Sequence, residues 1–227
     1  MKNPNFIHDP LPQAIYDHFN SFIYSSDRKI FAKLASKLKF CELTSGVPGD
    51  IVELGVFKGS GLMAWLKANE LTSVNQKSVY GFDIFDHEAL LRSIETEDSL
   101  LMLELFEKRT FNPKGFDEVL ERIIKSSGFR NFQIIVGNVF DTIPLFLKNN
   151  PGFRASIINF DLDTSEPTSF CLNQLWDRLV PGGIMIFDEY GVNEWTESDA
   201  VDAFIKTKSL TLNSTPYCAP SAYIIKK

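Results

Sequence analysis

The sequence predicts a doubly wound α/β fold: a mostly parallel, seven-stranded sheet with helices on both faces, a C-terminal antiparallel hairpin and two leading helices. Three observations predict it. Short apolar runs bounded by turn signals alternate with helical patterns, the signature of βαβ units. Runs such as "ASIINF" show the near-continuous apolar character of strands buried on both faces. The last two runs, "TLNSTPY" and "SAYIIKK", are short and close enough to pair as a hairpin.

Taken in order, residues 11–43 read as two helices, with Ile15, Phe19 and Phe22, then Ile30, Phe31, Leu34 and Leu38, at helical spacing. Gly and Pro in "SGVPGD" (45–50) break that pattern. "DIVELGVF" is a buried strand, "GLMAWLKANEL" a helix and "SVYGFDIF" a second strand, followed by a charged, partly helical insertion at 87–114. "FDEVLERIIKSSG" is a helix closed by Gly128. "FQIIVGN" is a strand, "IPLFLKNN" a short helix and "ASIINFDLD" the fourth strand. "SFCLNQLWDRLVPGG" is a helix that Pro181-Gly182-Gly183 stops; "GIMIFDEY" is the fifth strand and "DAVDAFIKTKS" the last helix. The chain divides into a helical extension, 1–44, expected to lid a pocket or make a dimer contact, and a main domain, 45–227.

Composition limits the function. A chain of 227 residues suits one sizeable domain, and 44% hydrophobic with 23% charged residues is ordinary for a soluble protein. A net charge of −6 argues against a nucleic-acid or anionic-membrane binder, while leaving room for a small anionic substrate. Cys41, Cys171 and Cys218 are far apart and form no C-x-x-C, as expected of a reduced, cytoplasmic protein. The N-terminus has no apolar core of signal-peptide length, and no run approaches the roughly 18 apolar residues of a membrane span.

In open α/β sheets ligands sit beyond the carboxyl ends of the strands, and the unusual polar residues fall there. "VELGVFKGSG" leaves the first strand with Gly55 and Gly59 able to turn tightly against a ligand. Its spacing is G-x-x-x-G-x-G, with Phe57 where a dinucleotide fingerprint needs Gly, and Glu53 would repel a pyrophosphate. A carboxylate at that place suits a ligand with an amino group, such as the methionine part of S-adenosylmethionine. Asp83, ending the second strand, can accept from both ribose hydroxyls. Asn138 and Val139 end the third strand on the adenine side, and Asp141 is an alternative N-cap for the next helix.

Two strands each end in a pair of acids: "NFDLDTSEPT" in Asp161 and Asp163, "IMIFDEYG" in Asp188 and Glu189. Asp161 and Asp163, two apart on an extended end, can point to one side. Neighbouring strands lie about 4.8 Å apart, so the four acids would share a small volume. Their mutual repulsion is relieved by a divalent cation, for which carboxylate oxygens are natural ligands. The alternative is that one or two acids face the cleft while Asp163 or Thr164 caps the helix that begins near Glu166.

In order, "VPGDIVELGVFKGSG", "VYGFDIF", "NFDLDTSEPT" and "PGGIMIFDEYG" resemble the macrocin O-methyltransferase family across about residues 45–205. The family reads D-G-D-L-Y-E-S-T at the fourth strand and G-G-x-x-x-x-D-D-Y-G at the fifth. The resemblance implies a Rossmann-like methyltransferase sheet that uses S-adenosylmethionine and Mg²⁺ to methylate a sugar hydroxyl, as in macrolide and aminocoumarin biosynthesis. It places Asp161, Asp188 and Glu189 on the Mg²⁺ and Asp163 as general base. Glu53, Gly55 and Gly59, with Val56 and Phe57 between them and Ser60 following, form the methionine-side turn. Asp83 takes the ribose; Asn138 and Asp161 complete the cofactor set. This chain has Leu162 where the family has Gly, Ser165 and Pro167 where it has Tyr and Ser, and Glu189 where it has Asp. The insertion reads "FDHEALLRS", without the family's F-x-G-L-P.

The expected reaction is direct methyl transfer to a hydroxyl, with the metal orienting the acceptor and Asp163 taking the proton. His87 is either a second candidate base or an ordinary surface histidine, and Tyr190 either walls the pocket or packs. Expected partners are a small hydroxyl acceptor, a sugar or sugar nucleotide, and a second copy of the chain in a homodimer. The rival readings are a methyltransferase for catechol-like phenols and a non-catalytic S-adenosylmethionine-binding protein.

Overall fold

The computed structural model describes residues 13–72, 76–93, 102–104 and 113–227. Seven strands form one sheet: β1 (Asp50–Leu54), β2 (Val79–Asp83), β3 (Phe132–Val136), β4 (Ala155–Phe160), β5 (Leu179–Phe187), β6 (Asn213–Ser214) and β7 (Ala222–Ile225). Their order is β3-β2-β1-β4-β5-β7-β6. The pairs from β3 to β5 are parallel; β7 runs antiparallel to β5 and to β6, which gives the expected hairpin. The direction of winding reverses between β1 and β4, and ligands of such sheets bind at that reversal.

Strand periodicity sorts the core into two layers. Val52, Leu54, Ile158, Phe160, Met185 and Phe187 face the helices Val139–Asn149, Ser165–Leu175 and Glu197–Lys208. Ile51, Val79, Ile157, Ile184 and Ile186 face the other way, toward α2 (Arg28–Leu43), α3 (Ser60–Thr72) and the helix Phe116–Ser126. Continuing that alternation past the strand ends assigns Glu53, Asp161 and Asp188 to the α2 side. The Asp27 side chain caps α2 by accepting from the amides of Lys29 and Ile30. At its far end the buried Lys77 ammonium donates to the carbonyls of Thr44 (2.8 Å) and Val47 (2.7 Å) and to Ser156 Oγ (2.7 Å), tying that end to β4. The first helix, α1 (Gln13–Tyr24), buries no residue.

Several expected boundaries move, and the facing of α2, which its spacing left open, is settled. Pro181-Gly182-Gly183 does not precede the fifth strand but lies inside it: the helix ends at Leu175, and after a 3-10 turn β5 begins at Leu179. The register slips there, from Ala155 opposite Leu179 to Ile157 opposite Ile184, so proline's missing N–H falls in a bulge. The apolar residues Ile30, Phe31, Leu34 and Leu38 point outward, and α2 buries Ala32, Ser36, Lys37, Phe40 and Cys41 instead. The last helix starts at Glu197, two residues earlier than its apolar pattern suggests. Much of the insertion at 87–114 lies outside the described residues, as does the side chain of His87. No described helix is long and apolar enough to cross a membrane.

Candidate active site

Register brings the acids together. Phe160 pairs with Phe187, so the next residues, Asp161 and Asp188, are neighbours at adjacent strand ends. The Asp161 amide donates to Leu54 O (2.9 Å) and the Asp188 amide to Phe160 O (3.1 Å), which fixes the three ends side by side. Asp163 arrives by a different route from the expected one. It is not on an extended strand but in a turn, with φ 65°, a left-handed conformation that Asp tolerates better than most residues. The turn curls its carboxylate back, so Asp161, Asp163 and Glu189 each place an oxygen within 4.8 Å of the others.

A fifth acid joins them. Glu197, at the start of its helix, is wholly buried. It accepts from the Glu189 amide (3.2 Å), and its Oε2 has no hydrogen-bond partner. Burial, then the charges of Asp161, Asp163 and Asp188, hold its carboxyl well above the usual range. Burial and Asp188 push Asp161 up to about 6. Burial, then Asp161, Glu189 and Asp188, raise Asp163 well above normal.

Sequence reasoning missed Glu197 and also the cations that meet these acids. Lys33 of α2 lies 2.6 Å from Asp188 Oδ2 and 3.2 Å from Asp161 Oδ2, and Lys29 pairs with Glu189 Oε1. Burial favours the neutral form of Lys33, but Asp161 and Asp188 outweigh it and keep the ammonium above its ordinary pKa. One turn further, Lys37 lies 3.5 Å from Glu53 Oε1 and over the Trp65 ring, 4.7 Å from its centroid. The signal was the i, i+4, i+8 spacing of the three lysines, which puts them on one face.

Glu53 is buried with Oε2 unpartnered, and burial pushes its carboxyl up to about 7 against the pull of Lys37. It lies against the start of α3, where a Cβ on Gly61 would overlap Oε1; that glycine was not singled out from sequence. At Gly55 (φ 88°) a Cβ would overlap the Asp161 carbonyl oxygen, so the turn and the end of β4 approach as only glycine allows. Phe57, next but one, also has positive φ (50°).

Asp83 holds this turn. Its Oδ2 accepts from the amides of Val56 (2.8 Å) and Phe57 (2.7 Å), its Oδ1 from Phe85 (2.8 Å). Ser60 opens α3, and Gly59 (φ 79°) packs against Leu120. Asn138, not Asp141, caps its helix, accepting from the Phe140 amide (3.1 Å). Thr164 stands at the cap position of Ser165–Leu175 without a side-chain cap bond, and the Ser165 amide donates to Thr196 Oγ1 (2.8 Å). Tyr190 packs against the core and donates to Asp202 (2.8 Å).

The acids fit a divalent cation: a hard, all-oxygen donor set, converging, and more numerous than Lys29 and Lys33, the ammonium groups paired with it. Beside it lies a glycine turn under a buried carboxylate, at the reversal of a Rossmann-like sheet. That combination is the plan of a class I S-adenosylmethionine-dependent methyltransferase.

Comparison with known proteins agrees. A family model described as a methyltransferase domain matches residues 52–190, more than half of the chain, and the protein belongs to that family. It is 29% identical over 173 residues to an 8-demethyl-8-(2,3-dimethoxy-α-L-rhamnosyl)-tetracenomycin-C 4'-O-methyltransferase of Streptomyces olivaceus, covering 71% of this chain and 61% of that protein. It is 26% identical over 164 residues to a mycinamicin III 3''-O-methyltransferase of Micromonospora griseorubida, covering 70% of this chain and 63% of that one. The chain thus spans under two thirds of these relatives' length. The fold matches that of the calicheamicin methyltransferase CalS11 with a TM-score of 0.72 at 23% identity, over 96% of this chain and 87% of that one.

Proposed function

We propose that the protein transfers the methyl group of S-adenosylmethionine to a hydroxyl of a sugar or sugar-containing small molecule, with a divalent cation, Mg²⁺ being the natural candidate, in the acidic cluster. The observation that carries this reading is the convergence of Asp161, Asp163 and Glu189 beside the Gly55 turn. The two curated relatives act, by their names, on sugar-bearing compounds, which supports a sugar acceptor here.

Asp161, Asp163 and Glu189 would hold the ion, with Asp188 beside them and Glu197 behind. When bound, S-adenosylmethionine supplies an electrophilic methyl and the ion lowers the pKa of an acceptor hydroxyl. Glu53 would receive the cofactor's amino group, its unpartnered oxygen being the acceptor available for that charge. Asp83 orders the turn through the amides of Val56 and Phe57, accepts from Phe85 with its other oxygen, and would keep a lone pair for the ribose. Asp163 is also the proposed proton acceptor, because its turn brings its carboxylate in beside those of Asp161 and Glu189, within reach of a hydroxyl held there. The test is transfer of labelled methyl from S-adenosylmethionine to a panel of free, nucleotide-linked and aglycone-linked sugars, with catechols alongside. Label on a sugar oxygen is expected; label on catechols alone would overturn the acceptor class.

The active form is proposed to be a cytoplasmic homodimer, with residues 45–227 as the catalytic domain. Support for the dimer comes from α1 and α2, where Ile15, Phe19, Ile30, Phe31 and Leu34 are 48–58% exposed. So large an apolar surface is unusual on a monomer. Sedimentation of the double variant Phe19→Asp/Phe31→Asp should show a monomer where the wild type shows a dimer; an unchanged dimer would place the interface elsewhere.

A further inference from the structure

The N-terminal half of α2 is built the wrong way round for a helix held by apolar burial. Lys29, Lys33 and Lys37 occupy the inward face that Ala32, Ser36 and Phe40 continue, while Ile30, Phe31, Leu34 and Leu38 face out. What secures this half to the sheet is charge: Lys29 on Glu189, Lys33 on Asp188 and Asp161, Lys37 on Glu53. Lys33 is the central contact. Its one ammonium bridges two carboxylates on adjacent strands, at 2.6 and 3.2 Å, and is only 28% exposed.

Two cations cannot share those oxygens. An ion coordinated by Asp161 would face the ammonium across a few ångströms of water-poor space, where like charges repel strongly. A monovalent ion would gain no more from the carboxylates than the tethered ammonium does, so it has nothing with which to displace the lysine. A divalent ion brings twice the charge and can also use the oxygens of Asp163 and Glu189.

We propose that Lys33 is the built-in occupant of the cation site. It excludes monovalent ions, and a divalent ion binds only by expelling it, which loosens the N-terminal half of α2 from the cleft. The proposal rests on the divalent-ion reading above and adds to it a residue that sets ion selectivity and couples loading to a moving helix. By linkage, whatever the ion does to α2, the hold of α2 does to the ion in equal measure.

Mn²⁺ binding to the full chain, followed by calorimetry and by the electron spin resonance of free Mn²⁺, tests it. Lys33→Met should bind Mn²⁺ tighter than wild type by at least about tenfold, within the range of ordinary coupling energies. Lys33→Arg keeps the charge and should stay close to wild type. Lys39→Met removes the same charge from the outer face, where it pairs with Glu42, and should change little. In the wild type, Mn²⁺ should speed amide hydrogen exchange in residues 28–37, a readout that survives if Lys33→Met fails to fold. Equal or weaker Mn²⁺ binding by a folded Lys33→Met, or unchanged exchange in wild type saturated with Mn²⁺, overturns the proposal and leaves the metal reading standing. If no protein in the series binds Mn²⁺, both fall together.

Discussion

Asp161→Asn is expected to lower methyl transfer at least about 100-fold with Mg²⁺ present, more than losing a residue that merely supports a metal ligand costs. The substitution is nearly isosteric and leaves the Asp161 amide on Leu54 O, so the strand ends stay aligned. What it removes is one negative charge from a site where five carboxylates crowd together, and a donor oxygen from the converging set. Asp188→Asn should cost less, because the Asp188 carboxylate stands outside that set. Wild-type activity should vanish in EDTA and return with Mg²⁺, whereas the little activity left to Asp161→Asn should respond to neither. Full activity of the wild type and both variants in EDTA would eliminate metal assistance altogether.

Gly55→Ala should destabilise the protein by about 3 kcal/mol and abolish cofactor binding. Two penalties combine: a non-glycine residue at φ 88° costs about 1–3 kcal/mol, and the new methyl would overlap the Asp161 carbonyl oxygen, which is backbone and cannot rotate away. For a chain of this size that corresponds to a fall in Tm of about 6–12 °C. Differential scanning fluorimetry, with and without S-adenosylhomocysteine, measures both effects. A variant that melts with the wild type and is still stabilised by the ligand would mean the turn is not pressed against β4 as described.

The sheet was legible because its strands obey a simple rule: apolar runs that are buried on both faces, separated by helical patterns. The misplaced start of the fifth strand, at Pro181-Gly182-Gly183, came from treating proline and glycine as breakers. Here Gly182 donates to Lys226 O and Gly183 O accepts from Lys226 N, so the pair extends the sheet toward the C-terminus. The acids at 161, 163, 188 and 189 were readable because four charges at two strand ends conflict with the runs before them. Glu197 was not, since an acid in the first turn of a helix is ordinary and its burial depends on the strand ends it meets. The lysines of α2 show the same blindness in sharper form. Their spacing put them on one face, but Ile30, Leu34 and Leu38 form an equally regular stripe, and only the acids waiting beneath decide which stripe turns in.

The Lys77 clasp has a mechanical consequence. It pins one end of α2 to β4 with three hydrogen bonds, whereas the opposite end meets the strand ends through the charge pairs of Lys29 and Lys33. The helix is thus a lever with its pivot near Thr44. At 1.5 Å per residue its 16 residues span about 24 Å, so a tilt of about 10° sweeps the tip through about 4 Å and Lys33 through roughly 2–3 Å. A swing that small is enough to part the Lys33 contact while the pivot stays fastened.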